Sequence, residues 1–236
     1  SNRTVDITPT LETLGVYRDR DAIVRRVDPS FDGASGFKIA IEDNDSLVSW
    51  FTLVTESGGI ERRARLDAVD YLGIVAATNY KQRVRKSIEY HYADLLNYAV
   101  AGTPNRLEYD QGFFVKGGDG AADLKPIAHL YKSQVYAVAR HLGLPEEILN
   151  QKPTTDTYSL EQSQEEFYFG LPLREMDVCL YGLNQARSAG ETARHAGLTE
   201  EQVRLAWSRI EQKRRTTAYL HAPALLARAV AEVSHE

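Results

Sequence analysis

A long helical pattern that ends abruptly in a short apolar run constrains this chain most. Across residues 67–97, Ile74, Tyr80, Val84, Ile88, Tyr92 and Leu95-Leu96 recur at roughly the spacing of one helix face. Directly afterwards Tyr98-Ala99-Val100-Ala101 runs apolar without alternation and stops at Gly102-Thr103. Such a run reads as a strand buried on both faces and feeding a loop. The spacing predicts a second helix over 130–142, with Val135, Val138, Ala139 and Leu142 inward and Gly143-Leu144-Pro145 as its stop. Further helices are expected over 161–181 and 200–213. Strand and helix therefore alternate, which predicts an α/β domain built on a layered parallel sheet with helices on both faces.

The amino-terminal part reads differently. Val5-Asp6-Ile7 is strand-like, and Thr8-Pro9 marks the start of a helix that runs towards Asp28. Residues 37–41, 48–54 and 62–66 are strand-like, with Asp43-Asn44-Asp45 and Ser57-Gly58-Gly59 as turns between them. Residues 33–66 thus form a small antiparallel β insertion within one domain spanning 1–236.

Composition excludes several function classes. Twenty-eight Lys and Arg stand against 33 Asp and Glu, so the net charge is -5 and the basic excess of a nucleic-acid binder is missing. The same balance speaks against an RNA-modifying enzyme. No stretch approaches the ~20 apolar residues of a membrane-spanning helix. Cys179 is the single cysteine, so neither an internal disulfide nor a cysteine-based zinc site is possible. A reducing, cytoplasmic setting follows, with Cys179 a core residue on an apolar stretch.

The densest unusual sequence lies between residues 102 and 132. Gly102-Thr103-Pro104-Asn105-Arg106-Leu107-Glu108 is followed by Gly112-Phe113-Phe114-Val115-Lys116-Gly117-Gly118-Asp119-Gly120 and then Asp123. Glycines allow close backbone approach to a ligand, and a lysine among them meets phosphate or carboxylate as a point charge. A loop after a parallel strand is where open α/β sheets bind ligands, although Gly-Asp-Gly is also ordinary turn chemistry.

Taken in order, Asn79-x3-Arg83-x-Arg85, Gly102-Thr103-x4-Glu108, the 112–123 segment, Leu130-x-Lys132-x-Gln134-Val135 and Lys152-Pro153-Thr154 resemble the ammonia-dependent NAD synthetase family. The resemblance covers about residues 79–177 and implies an adenine-nucleotide α-hydrolase-like fold. It implies an enzyme that adenylates the carboxylate of deamido-NAD with ATP and Mg²⁺, after which ammonia displaces AMP. Thr103 and Thr154 would contact ATP, and Lys132 would meet its phosphates. Glu108 would ligate Mg²⁺, making Lys132 and Glu108 the catalytic pair. Arg83, Lys116, Asp123 and Lys213 would hold deamido-NAD. The family also implies a homodimer with that site at the interface, and no nucleophilic side chain.

The sequence departs from the family pattern in places. The family's pyrophosphate loop, Ser-Gly-Gly-x-Asp-Ser, is absent, which implies a chain incomplete at its amino terminus. Ser57-Gly58-Gly59-Ile60-Glu61 imitates it but reads as a hairpin turn. Gln212 stands where the family has a histidine before Lys213. The stretch Gln164-Glu165-Glu166-Phe167-Tyr168-Phe169 is more aromatic than usual. These departures keep two alternatives open: a relative that amidates another carboxylic acid, and a non-catalytic nucleotide-binding relative.

Overall fold

The computed structural model describes residues 3–42, 50–155, 158–228 and 230. Val5-Asp6-Ile7 is irregular, not a strand, and leads into α1 (Thr8–Thr13), which carries Pro9 in its first turn. Helix α2 (Val16–Val27) follows. Then come β1 (Gly36–Glu42), β2 (Trp50–Ser57) and β3 (Ile60–Arg65), paired antiparallel in that order. The register opposes Ile39 to Leu53 and Leu53 to Ala64. The expected insertion is thus present, with Gly58 and Gly59 in its tight turn; the expected turn at 43–45 lies outside the described residues. β3 is an outer strand, and Glu61, Arg62, Arg63 and Arg65 keep its edge charged.

Helix α3 (Ala68–Leu96) fills the span that the apolar spacing predicts. The Asp67 side chain accepts the Asp70 amide at 2.8 Å at its start, and Asn97 ends it in the left-handed region at φ 54°. The sheet packs on α2 and α3 through Val24, Phe31, Phe37, Ile39, Leu53, Leu66 and Ile74. This is the first core.

A second core gathers the carboxy-terminal half. It joins α4 (Arg106–Gln111), a π-helical turn (Glu165–Phe169), α7 (Leu173–Asn184) and α9 (Glu200–His221) through Leu107, Phe169, Leu173, Met176, Leu180 and Ile210. Helices α5 (Lys132–His141) and α6 (Glu146–Leu149) lie beside it. Helix α8 (Ala189–Ala196) closes a third cluster around Cys179, Val203 and Ala206. Cys179 is fully buried and its thiol is pushed up to about 11 by burial, which makes it inert core as expected.

Two further expectations are corrected, and a third is met only in part. The helix expected over 161–181 is broken, because Gly170 takes the left-handed conformation at φ 72° and Pro172 restarts the chain as α7. The face of α5 expected to point inward is only partly covered: Val135 and Ala139 are half-buried, whereas Val138 is 41% exposed and Leu142, just past the helix end, 69%. The buried strand over 98–101 is reduced to one parallel bridge, Ala101 to Leu124, with Tyr98 71% exposed. A parallel strand needs neighbours and cover on both faces, and the described residues supply one partner. Helices and a three-stranded antiparallel sheet are what they form; a layered parallel sheet is not among them.

Candidate active site

A cleft of about 850 Å³ separates the first core from the second. Helical spacing explains its two long walls. From α3, Tyr71, Val75, Thr78, Asn79, Gln82 and Arg85 repeat every three or four residues and face it; from α9, Arg209, Gln212, Lys213 and Thr216 do the same. Thr103, Pro104 and Glu108 lie at one end, and Phe113 to Val115 with Asp119 lie along one side. Thr154, Thr155, Tyr158, Gln164 and the 166–170 turn complete it, while the sheet adds Ile41 and Phe51.

The 102–108 turn is shaped by two local demands. At Gly102 a Cβ would stand 2.8 Å from that of Ala122, so only glycine lets the chain cross beside 122–124. Asn105 then caps α4: its Oδ1 accepts the Leu107 amide at 2.9 Å, and Glu108 Oε2 accepts the Asn105 amide at 2.8 Å. Glu108 is therefore held before any ligand arrives. Its Oε1 accepts Gln164 Nε2 at 3.1 Å and lies 4.0 Å from Lys132 Nζ, the two side chains being 14% and 17% exposed.

Lys132 begins α5, and a carboxylate from another helix sets that start. Buried Asp177 on α7 accepts the backbone amides of Lys132 at 3.1 Å and Ser133 at 2.7 Å. It adds to the local cap, in which Gln134 Oε1 accepts the Tyr131 amide at 3.0 Å. Burial pushes the Asp177 carboxyl up, and the Ser133 and Lys132 contacts pull it back.

The structure brings Thr103, Glu108, Thr154 and Lys213 to one cleft, with Lys132 against Glu108. Lys213 Nζ donates to the Tyr168 carbonyl at 2.5 Å and sits 4.2 Å from the centre of that ring. Arg83, Lys116, Asp123 and Lys132 are not among the lining residues. Arg83 Nε donates to the Lys116 carbonyl at 3.2 Å, and Lys116 Nζ donates to the carbonyls of Tyr219 at 2.7 Å and Ala222 at 3.1 Å, at the end of α9. Asp123 accepts the Val100 amide at 2.7 Å, fixing the 98–101 run.

Several lining residues have no role in the sequence reading. Asp119 sits inside the glycine-rich motif; its Oδ1 accepts the Val115 amide at 2.7 Å, and burial pushes its carboxyl up. Tyr158 and Tyr168 are held neutral by burial, and Tyr168 donates its hydroxyl to the Gln111 carbonyl at 2.7 Å. Arg209 and Gln164 lacked any signal, since each acquires its place only from the packing of distant segments.

Among the described residues no group of three or more His, Cys, Asp or Glu side chains forms a metal site. Mg²⁺ is typically bound through one or two protein carboxylates, with phosphate and water completing its shell. Glu108 has lone pairs to spare: Oε2 accepts the Asn105 amide and Oε1 accepts Gln164 Nε2, whereas a carboxylate offers about four lone-pair sites.

The model of the family described as NAD synthase matches residues 62–219, which include every lining residue except Ile41 and Phe51. The chain belongs to the NAD synthase family. It is 55% identical over 231 residues to the NH(3)-dependent NAD(+) synthetase of Rhizobium meliloti, covering 97% of this chain and 69% of the relative. It is 53% identical over 228 residues to the protein of the same name from Rhizobium rhizogenes, covering 95% and 69%. Among solved structures, the NMN synthetase of Francisella tularensis matches with a TM-score of 0.53 and 28% identity, covering 66% of this chain and 58% of that one. This NAD synthase family member also has no helix, among the described residues, long and apolar enough to cross a membrane.

Proposed function

We propose that this protein is an ATP-dependent amide-forming ligase that converts deamido-NAD and ammonia to NAD, releasing AMP and pyrophosphate. The observation that carries the reading is 55% identity across 97% of the chain to a relative named NH(3)-dependent NAD(+) synthetase. In the first step a carboxylate oxygen of deamido-NAD bonds to the α-phosphorus of ATP and the bond to pyrophosphate breaks. In the second, ammonia bonds to the carboxyl carbon, AMP leaves and a proton is lost. Neither step needs a protein nucleophile, which agrees with a buried, inert Cys179.

The residues then take these roles. Thr103 and Thr154 line the cleft where ATP would bind, and the Lys132 ammonium offsets phosphoryl charge beside Glu108. Glu108 would be the protein ligand of Mg²⁺, which when bound neutralises charge developing on phosphoryl oxygens. Lys213, fixed over Tyr168, faces the acid substrate. Lys116 and Asp123 belong to the 112–123 loop and Arg83 on α3 is bonded to the Lys116 carbonyl, and we assign all three to deamido-NAD at an interface with a second copy. The proposed homodimer also gives Leu95 and Tyr98, 62% and 71% exposed, a surface to cover. Sedimentation at micromolar concentration is expected to show a dimer; a stable monomer contradicts it.

We take 1–236 as one domain, with 33–66 inserted in it. The 98–101 run would be one strand of a layered parallel sheet, because its bridge to Leu124 already runs parallel. We assign the reaction to the cytoplasm, where a free thiol persists. Conversion of deamido-NAD to NAD with ATP and ammonium tests the reading; absence of NAD under saturating substrates rejects it. The likeness to an NMN synthetase favours one second reading, amidation of the corresponding mononucleotide acid.

A further inference from the structure

The β insertion reaches the cleft although β1 and β2 precede the family match, which begins at residue 62. One edge of β1 pairs with β2; its other edge holds a distant segment. Phe37 donates its amide to Ser159 Oγ at 2.9 Å, the Leu160 amide donates to the Phe37 carbonyl at 3.2 Å, and Gln162 Nε2 donates to the Ile39 carbonyl at 2.9 Å. Residues 37 and 39 point their backbone groups to the same edge, as strand geometry requires. The fit is close: a Cβ at Gly36 would lie 2.4 Å from the Leu160 side chain.

Between those residues Lys38 Nζ donates to Glu166 Oε1 at 2.8 Å, with the lysine side chain only 16% exposed. The segment it grips runs straight into the site. Gln164 holds Glu108, and Phe167 and Tyr168 pack around Phe113, with ring centres 5.8 and 4.5 Å from it. A chain of contacts therefore links the insertion to the residue assigned to Mg²⁺.

We propose that the 36–65 sheet is a frame that fixes the 158–168 segment against the cleft, and that Lys38 is a positioning residue for the amidation, acting through Glu166. The part concerning amidation rests on the ligase reading; the frame does not. Reversing the charge at Lys38 sets two carboxylates against each other and weakens the grip, so the binding-competent wall is populated less and apparent affinity falls by that fraction.

The test uses the full chain and two readouts. In Lys38→Glu, hydrogen exchange of the 158–168 amides is expected to speed about tenfold while exchange in α7 and α9 stays unchanged. The KM for deamido-NAD is expected to rise about tenfold, with kcat within threefold. The pair Lys38→Glu with Glu166→Lys is expected to restore slow exchange, and Glu61→Gln on the outer strand to change neither readout. Should Lys38→Glu fail to fold, Lys38→Met is read the same way with smaller shifts. Unchanged exchange at 158–168 overturns the frame, and faster exchange with an unchanged KM overturns the positioning role. Wild-type protein that makes no NAD from deamido-NAD rejects the ligase reading instead, and the exchange arm still decides the frame.

Discussion

Glu108→Gln is expected to lower the ammonia-dependent amidation rate about 100-fold or more, with the fold intact. The carboxylate lines the cleft and lies 4.0 Å from the Lys132 ammonium. Replacing it by an amide removes the charge that Mg²⁺ needs where phosphoryl charge builds up, and lost stabilisation of that kind costs about 10²–10³ in rate. The structural duties of Glu108 survive better. A glutamine carbonyl oxygen can still accept the Asn105 amide, now 2.8 Å from Oε2, so the capping box is weakened rather than lost. Melting temperature should therefore fall by only a few degrees, as for a change of about 1 kcal/mol. Initial rates at limiting and saturating Mg²⁺ check the assignment; an unchanged rate at limiting Mg²⁺ rejects it.

Lys132→Met is expected to cut the adenylation rate about 100-fold, and stability much less. Methionine keeps the apolar stem and removes the ammonium. The start of α5 does not depend on that ammonium, because Asp177 is bonded to the backbone amides of residues 132 and 133. A loss confined to kcat/KM with an unchanged melting curve separates a charge role from a packing role. Because Lys132 and Glu108 act on one group of phosphates, the double variant should lose little more than Glu108→Gln alone. Additive losses would place the two in separate sites.

The legibility of this chain follows what each pattern depends on. Helix α3 was readable because its caps and its apolar stripe are local: Asp67 and Asn97 mark its two ends. The sheet was readable for the same reason, through alternating strands around Gly58-Gly59. The break inside 161–181 was written in Gly170 and Pro172, but the apolar spacing on either side masked it. The partly exposed face of α5 and the lone bridge at Ala101 depend on what covers them, which spacing does not report. In the cleft, Thr103, Glu108, Thr154 and Lys213 came from ordered motifs that resemble a family, and packing brings them together. Gln164, Asp177 and the Lys38–Glu166 pair depend on contacts between segments far apart in sequence, so no local signal announced them.

The central claim is the identity of the acid that ATP activates. ATP–pyrophosphate exchange isolates that step, because it needs the acid, ATP and Mg²⁺ but no ammonia. The full chain is offered deamido-NAD, nicotinic acid mononucleotide, nicotinate and small aliphatic acids in turn. The account predicts exchange that depends on deamido-NAD and is abolished by Glu108→Gln. Exchange driven by another acid, with none from deamido-NAD, would contradict it.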